Sequence, residues 1–320
     1  MILLNEILEA AESGDMDMQF EVAECYRTGQ GCEPDVDAAF KWYLKAAEQG
    51  HSVAQLRLAM SYDVEKNMVE SIKWLRKSAE HGCASGQYLL GLCYSSGYGG
   101  VERSFTDAAM WYRKAADQDH DDAQFALGLF YYLGNDGVQK NLHEAIKLWQ
   151  AAVKNGNDSA AVKLAVSYAT GEGVESDKVT AFNLFKLAAL KGNPDGQFHL
   201  GSYYKFGWGV KKNEKKAFKW FYKSAKKGND WAQYVVGNCY ERGEGIEKDF
   251  KKAAKWYHKA AKQGNASAQF NLALFYGKGL GVKWDLRKAG KWLAKAAKQG
   301  LESAVELQKS LNHSHKKTGI

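Results

Sequence analysis

The sequence has few prolines, few cysteines and no long apolar run. Only two prolines, Pro34 and Pro194, occur among 320 residues, so helices can follow one another without Pro-rich linkers. No apolar stretch approaches the roughly 20 residues that a membrane-spanning helix needs. The five cysteines are an odd number scattered along the chain, which favours free thiols over a disulfide framework. Whether Cys25 and Cys32 form a bridge stays open.

The first residues also lack the features of a secretory signal. Met1-Ile2-Leu3-Leu4 is followed at once by Asn5 and Glu6, without a basic region or a small-residue cleavage site. We therefore expect a cytoplasmic protein, and a secreted effector with an unrecognised export signal stays open. Hydrophobic residues make up 45% of the chain and charged residues 25%, which is typical of a folded globular protein and not of disorder.

What the sequence does contain is a repeat. One slot holds Trp in six copies and Leu in two, at intervals of 32 to 37 residues, and such a period indicates a repeat architecture. The eight positions of this slot are Trp42, Trp74, Trp111, Leu148, Leu184, Trp220, Trp256 and Trp292.

Each copy predicts two helices and a glycine loop. The block Ala254-Lys-Trp-Tyr-His-Lys-Ala-Ala261 has apolar residues at helical spacing and Lys on the other side, so it predicts an amphipathic second helix. The first helix carries Ala-Gln and Leu-Gly pairs before a Tyr, as at Ala123-Gln124, Leu127-Gly128 and Tyr131. Between the helices, loops such as Gly243-Glu-Gly245-Ile246 place glycine where a helix ends in left-handed conformation.

This combination resembles the Sel-1-like repeat family, relatives of the tetratricopeptide repeats with a longer loop between the helices. The resemblance covers about residues 15–300 and implies an all-α, right-handed superhelical solenoid of antiparallel helix pairs, used as an adaptor or scaffold in protein complexes. The second repeat departs from the pattern, because the shorter Asp63-Val-Glu-Lys-Asn67 replaces the glycine loop. We predict a leading half-repeat over 1–14, a capping helix over 301–312, a flexible tail over 313–320, and eight repeats over 15–50, 51–82, 83–119, 120–156, 157–192, 193–228, 229–264 and 265–300.

The resemblance also implies where a partner binds. In the related tetratricopeptide superhelices the first helices line the concave face, and positions that vary between copies contact the partner. Two tryptophans, Trp208 and Trp231, are also predicted to contact a partner, because they lie outside the repeated Trp slot and tryptophan is enriched in interfaces. Packing within the solenoid is the alternative role for all of these residues. The predicted partner-binding residues are Met60, Leu92, Leu129, Tyr132, Val166, Lys205, Phe206, Trp208, Trp231 and Asn238.

Charge is divided unevenly along the chain. Residues 1–156 carry 14 basic and 23 acidic side chains, a net charge of −9, while residues 157–320 carry 30 and 14, a net charge of +16. Most of the excess Lys falls on predicted second helices, where it either solubilises the surface or attracts an acidic partner, an anionic membrane or RNA. Nucleic acid is the weaker choice, because no reading module or stacking platform is recognisable.

Motifs that suggest catalysis have structural explanations. Some relatives of the family have been considered penicillin-interacting, and Ser202-x-x-Lys205 and Ser224-x-x-Lys227 match a short acyl-transferase motif, but that chemistry needs a strand that the pattern does not supply. We predict no catalytic residue, metal or cofactor. The predicted function is a non-catalytic interaction scaffold, acting as adaptor, regulator or inhibitor of a partner protein or peptide. A cell-wall hydrolase and an electrostatic binder of RNA or acidic lipid remain the alternatives.

Overall fold

The computed structural model describes residues 4–64 and 67–318. Over these ranges the regular structure is helical and contains no strand, as the repeat pattern predicts. One short 3₁₀ turn, Tyr98–Gly100, interrupts the series of α-helices. The α-helices are α1 Leu4–Glu12, α2 Met16–Thr28, α3 Val36–Glu48, α4 Ser52–Val64, α5 Met68–Glu80, α6 Ala84–Ser96, α7 Phe105–Ala116, α8 Asp121–Leu133, α9 Leu142–Lys154, α10 Asp158–Thr170, α11 Lys178–Lys191, α12 Pro194–Phe206, α13 Glu214–Lys226, α14 Asp230–Arg242, α15 Phe250–Lys262, α16 Ala266–Lys278, α17 Leu286–Lys298 and α18 Glu302–Thr318.

The helices form two compact units, an N-terminal unit of Met1–Ala160 and a C-terminal unit of Ala161–Ile320. Within each unit, helices that are adjacent in the chain pack against each other. The most extensive packing joins the two helices of one repeat, such as α4 with α5 and α12 with α13. Within a unit, second helices also pack against the first helix of the next repeat, as α5 does with α6 and α13 with α14. The predicted helix pairing is therefore confirmed.

Local capping explains where the helices begin and end. At the start of α14, the Asn229 side chain accepts a hydrogen bond from the Ala232 amide at 2.7 Å, which satisfies a free helical donor. At its end, Gly243 adopts the left-handed conformation with φ of 79°, which glycine reaches without strain. Asn193 and Asn265 cap α12 and α16 in the same way. The glycine end of the helix is the one that the loop pattern of the sequence predicts.

The residue after the repeated Trp, and not the Trp itself, fills the centre of each repeat. Tyr112, Phe221 and Tyr257 are almost completely buried at this following position. The Trp lies beside it, at the edge of the core, and the Lys three residues later covers its ring; the Lys259 Nζ is 4.4 Å from the Trp256 ring centroid. The same pair recurs in all six Trp copies, as Lys45 on Trp42, Lys77 on Trp74, Lys114 on Trp111, Lys223 on Trp220, Lys259 on Trp256 and Lys295 on Trp292.

Trp149 occupies this buried position, the one after the Trp slot, so the repeat explains why its side chain is buried. Its side chain is 1% exposed, and its Nε1 donates a hydrogen bond to the Phe125 carbonyl at 3.3 Å. Trp149 directly follows the Trp slot, which holds Leu148 in that copy, so the slot alone does not predict its burial. Gly128 on α8 makes room for its indole, since a Cβ there would lie 2.4 Å from Nε1.

Glycine on the first helix faces a large ring in three further repeats. A Cβ at Gly237 would lie 2.6 Å from the Tyr257 ring, and Gly91 and Gly201 face Tyr112 and Phe221 at 2.7 Å. Real Cβ atoms do not approach a ring so closely, so these glycines set the distance between the two helices of a repeat. Ala273 occupies the equivalent position in the eighth repeat, where the second helix carries Leu293 in the ring's position.

A buried glutamine joins successive repeats. It lies near the start of the first helix, usually after Ala or Gly, and its Nε2 donates to a carbonyl at the end of the preceding helix, which satisfies an acceptor that a helix terminus leaves free. In the fifth repeat the position holds Ala161, which has no amide to donate. The seven bonds are Gln19 to Ala11, Gln55 to Ala47, Gln87 to Ala79, Gln124 to Ala116, Gln197 to Ala189, Gln233 to Ala225 and Gln269 to Ala261.

The side-chain carbonyl oxygen of the same glutamine usually accepts a hydrogen bond from a residue at the end of the repeat to which the glutamine belongs. In the seventh repeat, Gln263 Nε2 donates to Gln233 Oε1 at 2.9 Å and to the Gly228 carbonyl at 2.8 Å. The sixth repeat differs, because Lys227 stands in the position of Gln263 and its Nζ donates to the Gly192 carbonyl. As a result, Gln197 Oε1 is buried without a hydrogen-bond partner in the structure.

The C-terminal helix is longer than the sequence predicts. We expect a capping helix that ends at residue 312 and a flexible tail over 313–320, but α18 runs to Thr318. The helix thus includes residues 313–318, for which the sequence predicts a tail, and residues 319 and 320 lie outside the described residues. No proline or glycine interrupts residues 302–318, so nothing in the local sequence ends the helix earlier.

Replacing Lys227 with glutamine should stabilise the protein. In K227Q the new amide can donate to both Gln197 Oε1 and the Gly192 carbonyl, as Gln263 does one repeat later. Because a buried acceptor gains its partner, we expect the free energy of unfolding to rise by about 1 kcal/mol. The matched variant Q263K should lose about as much. Urea unfolding followed by circular dichroism measures both, and a lower midpoint for K227Q would contradict the assignment.

Replacing Gly237 with alanine should destabilise the protein by about 1–3 kcal/mol, because the Tyr257 ring cannot retreat from the new methyl group. The cost should be smaller in a Y257L background, which recreates the Ala273 and Leu293 pair of the eighth repeat. Unfolding free energies of the two single variants and the double variant give this coupling. Additive effects of the two changes would show that the glycine is not required by the ring.

Candidate functional site

Two of the predicted partner-binding residues meet at one cleft in the N-terminal unit. Met60 on α4 and Leu92 on α6 both contribute to its walls, and their side chains are 48% and 37% exposed. The cleft has a volume of about 380 Å³. It is lined by Leu56, Ala59, Met60, Asp63, Ser71, Ile72, Leu75, Leu89, Leu92, Cys93, Ser96 and Tyr98.

The walls of this cleft are apolar and its polar groups are largely engaged elsewhere. The Ser71 hydroxyl donates to the Ala59 carbonyl at 2.8 Å, and the Ser96 hydroxyl donates to the Leu92 carbonyl at 2.8 Å. Burial raises the pKa of the Cys93 thiol, so the thiol stays protonated and behaves as a small apolar group. The surface that remains for a ligand is therefore mainly hydrocarbon.

A hydrogen bond between two repeats forms the rim of the cleft. The Tyr98 hydroxyl donates to the Asp63 carboxylate at 2.7 Å, which holds the 3₁₀ turn after α6 next to the end of α4. This bond raises the pKa of the Tyr98 hydroxyl. The rim lies beside the segment that connects the two helices of the second repeat. Three residues join α4 to α5 there, whereas seven or eight residues join the two helices of every other repeat. The departure that the sequence shows in repeat two is thus located at the cleft.

Leu129, Tyr132 and Val166 do not line this cleft. All three are partly buried. The Tyr132 ring packs against Trp149 with centroids 5.3 Å apart, so at least part of its role is to cover the buried indole. Among the predicted apolar partner-binding residues of α4, α6, α8 and α10, Met60 and Leu92 are therefore the exposed ones.

In the C-terminal unit, Phe206 and Trp208 form an exposed aromatic pair. Their rings stack with centroids 4.7 Å apart, and the side chains are 56% and 41% exposed. Trp208 also makes an edge contact with Tyr203 on the core side. Lys205, one residue earlier, forms an ion pair with Glu244 at 2.7 Å, so its charge is largely neutralised within the fold.

Trp231 and Asn238 lie on α14 and differ in exposure. Trp231 is 54% exposed and makes an edge contact with Tyr234. The Asn238 side chain accepts a hydrogen bond from the Tyr257 hydroxyl at 2.6 Å, so it supports the buried Tyr of its own repeat. Trp284, which is not among the predicted partner-binding residues, is 60% exposed in the loop before α17. The sequence does carry a signal of this exposure, because the same position holds Lys212 and Lys248 in the two preceding repeats and lysine is rarely buried.

The slot of Asn238 holds Glu24 in the first repeat, and that residue also has an internal role. The Glu24 carboxylate accepts hydrogen bonds from Tyr43 at 2.5 Å, from Arg57 at 3.0 Å and from Arg27. Burial raises the pKa of the Glu24 carboxyl, but these hydrogen bonds and the two arginine charges outweigh it and lower the pKa overall. The carboxylate therefore stays charged and ties α2 to α3 and α4.

The residues of the suggested acyl-transferase motif support the fold. The Ser224 hydroxyl is fully buried and donates to the Pro194 carbonyl at 2.7 Å, while Ser202 donates to the Phe198 carbonyl. Lys227 donates to the Gly192 carbonyl and Lys205 to Glu244, so neither lysine reaches the serine of its motif as a base. These bonds explain the residues without a catalytic role.

Neither a metal site nor a transmembrane helix is found in the described part of the chain. Over residues 4–64 and 67–318, no group of three or more His, Cys, Asp and Glu side chains is arranged to hold a metal ion. No helix within the same ranges combines the length and apolar character needed to cross a bilayer. All five cysteines are free thiols, including Cys25 and Cys32.

Comparison with known proteins identifies the repeat. The family model described as the Sel1 repeat matches eight segments, 17–51, 52–83, 84–120, 121–157, 158–193, 194–229, 232–265 and 266–301. Among solved structures, c5321, a protective antigen present in uropathogenic Escherichia coli strains and displaying an SLR fold, has a TM-score of 0.84 and 31% identity over 99% of this chain and 68% of its own. A Sel1 repeat protein from Oxalobacter formigenes has a TM-score of 0.71 and 32% identity over 96% of this chain and 89% of its own. No curated protein matches the chain.

The matched segments account for most of the chain, and the helix pairs, glycine loops and buried aromatic positions recur in each of the two units. The chain belongs to the Sel1 repeat family, whose members are helix-pair solenoids that generally mediate protein–protein interactions.

Proposed function

We propose that this chain is a non-catalytic scaffold that binds another protein through the surface of its first helices, as an adaptor, regulator or inhibitor of that partner. The family supports an interaction role. The observation that carries the proposal is the apolar cleft between α4 and α6, with Met60 and Leu92 exposed at its walls.

The cleft suits side chains of a protein better than a polar small molecule. Interface hot spots are apolar or aromatic anchors that fill well-packed pockets and exclude water. A cleft of about 380 Å³ has room for such an anchor, and its walls offer few unused polar groups that could orient a polar ligand. The thioether of Met60 adds a flexible, polarisable contact that adapts to the shape of the anchor.

The C-terminal unit supplies a second exposed apolar feature on a first helix and its loop. The stacked Phe206 and Trp208 rings present a rigid aromatic surface, and ordering such rings costs little conformational entropy on binding. Trp231 is exposed at the start of the next first helix, α14. We propose that these residues contact a partner, while the polar side chains of Lys205 and Asn238 are engaged within the fold by Glu244 and Tyr257.

Charged residues in the cleft should abolish capture of the partner. A partner is first isolated on the wild-type protein and identified, and its affinity is then measured by calorimetry for M60E/L92E. Burying two unpaired carboxylates against an apolar anchor should weaken binding at least tenfold. Circular dichroism checks that the variant keeps its helical content.

A matched control uses equally drastic changes on second helices. Val36 and Val69 are about 80% exposed near the starts of α3 and α5, where a glutamate is favourable for the helix dipole. V36E/V69E should bind the partner within twofold of wild type. Equal affinities for M60E/L92E and wild type would remove the cleft from the binding surface, and equal losses in both double variants would show a nonspecific effect of charge.

A further inference from the structure

The second helices of the C-terminal unit carry a regular array of cations on a face that the proposed function does not use. Helices α13, α15 and α17 have a basic residue at the same five positions relative to the repeated Trp, and all fifteen are exposed. Glu214, the first residue of α13, is the one acidic residue within these three helices. The fifteen are Lys215, Lys216, Lys219, Lys223 and Lys226 on α13, Lys251, Lys252, Lys255, Lys259 and Lys262 on α15, and Arg287, Lys288, Lys291, Lys295 and Lys298 on α17.

Two of the five positions already have roles within the fold. The residue three after each Trp covers its ring, and this pairing also occurs in the N-terminal unit. The residue four before each Trp lies over a Tyr ring of the first helix, as Lys252 does over Tyr240 at 5.4 Å, and Lys252 also pairs with Asp249 at 3.2 Å. The other three positions supply nine cations, and within the described residues none of these nine forms an ion pair. We call them the basic face: Lys215, Lys219, Lys226, Lys251, Lys255, Lys262, Arg287, Lys291 and Lys298.

The spacing of these residues places them on one side of each helix. On every helix the three cations follow one another at intervals of four and seven residues, so they form a stripe roughly 16 Å long. The buried residues Phe221, Tyr257 and Leu293 lie on the opposite side. Neighbouring second helices are in contact, because Tyr222 packs against Trp256 with ring centroids 5.5 Å apart and His258 against Trp292 at 5.9 Å. The stripes therefore form a continuous surface within the unit.

An exposed apolar edge adjoins this surface at the start of α17. Trp284 and Leu286 are each 60% exposed on either side of the capping residue Asp285, and Arg287 follows directly. The position of Trp284 holds Lys212 and Lys248 in the two preceding repeats. The apolar pair is thus confined to the last of the three repeats and is not a feature that the repeat requires.

We propose that the basic face binds the surface of an anionic lipid bilayer, with Trp284 and Leu286 entering its interface. A cluster of unpaired like charges repels itself, and an anionic surface relieves that repulsion. Lysines beside an exposed Trp and Leu are the combination that peripheral membrane proteins use, since the cations attract lipid headgroups and the apolar groups partition between them.

A bilayer fits these residues better than a nucleic acid does. Eight of the nine cations are lysines, which act as point charges and lack the planar fork with which arginine reads bases and phosphates. The Trp220, Trp256 and Trp292 rings are covered by lysines of their own helices and are not open for base stacking. This proposal does not depend on the proposed function of the first helices.

Vesicle binding by the full chain tests the proposal. Sedimentation with phosphatidylcholine vesicles should show binding only when phosphatidylserine is included, and the bound fraction should fall as salt rises. The variant K219Q/K255Q/K291Q removes one cation from each stripe. Each lost cation should weaken partitioning about fivefold, so the triple variant should bind about 100-fold more weakly. Circular dichroism confirms that it is folded.

A matched control changes the same repeat position in the N-terminal unit. Lys41, Lys73 and Lys147 also directly precede the Trp slot and are exposed, and K41Q/K73Q/K147Q reduces the net charge by the same amount. This variant should partition within about twofold of wild type. Equal losses in the two triple variants, or equal binding to vesicles with and without phosphatidylserine, would overturn the proposal.

A third arm separates a bilayer from a polyanion in general. The variant W284S/L286S should weaken vesicle binding about tenfold and leave the salt dependence unchanged, because it removes apolar insertion and no charge. If single-stranded RNA binds more tightly than phosphatidylserine vesicles, and W284S/L286S binds vesicles as well as wild type does, the basic face is a nucleic-acid surface and the proposal is wrong.

Discussion

Close approach between the two helices of each repeat is the constraint on which the structure depends. A large side chain after the Trp slot fills the space between the helices, and glycine on the first helix accommodates the ring at Tyr112, Trp149, Phe221 and Tyr257. Buried glutamines then join seven of the repeats to the helix before them and satisfy carbonyls that helix ends leave free. Because each repeat contacts mainly its neighbours, stability is built up locally and the exposed positions can vary.

This division between fixed and variable positions explains how one architecture can serve different partners. The core positions repeat with little change, whereas the exposed positions of the first helices hold residues as different as Glu24, Met60 and Asn238. Glu24 and Asn238 support buried tyrosines, so variation alone does not identify a binding residue. Met60 and Leu92 differ in having exposed apolar side chains at a cleft that the short connection of the second repeat adjoins.

The sequence predicts the helix pairs and their glycine loops, because each depends on residues that are close together in the chain. It does not show which of two adjacent aromatic residues is completely buried, since Trp256 and Tyr257 both fit a helical apolar stripe and only the packing of the neighbouring helix makes Tyr257 the more deeply buried one. The cleft and the Phe206 and Trp208 pair depend on contacts between elements, so the sequence suggests their residues without their geometry. The extended end of α18 was missed because the residues after 312 are polar, and polar residues can still continue a helix.

Oxidative footprinting of the protein bound to its partner tests the central claim most directly. Met60 on the first helix α4 and Met110 on the second helix α7 have nearly equal exposure, 48% and 44%, so each serves as a reference for the other. Binding through the first helices predicts that the partner protects Met60 from oxidation and leaves Met110 as reactive as in the free protein. Protection of Met110 with Met60 still fully reactive would contradict it.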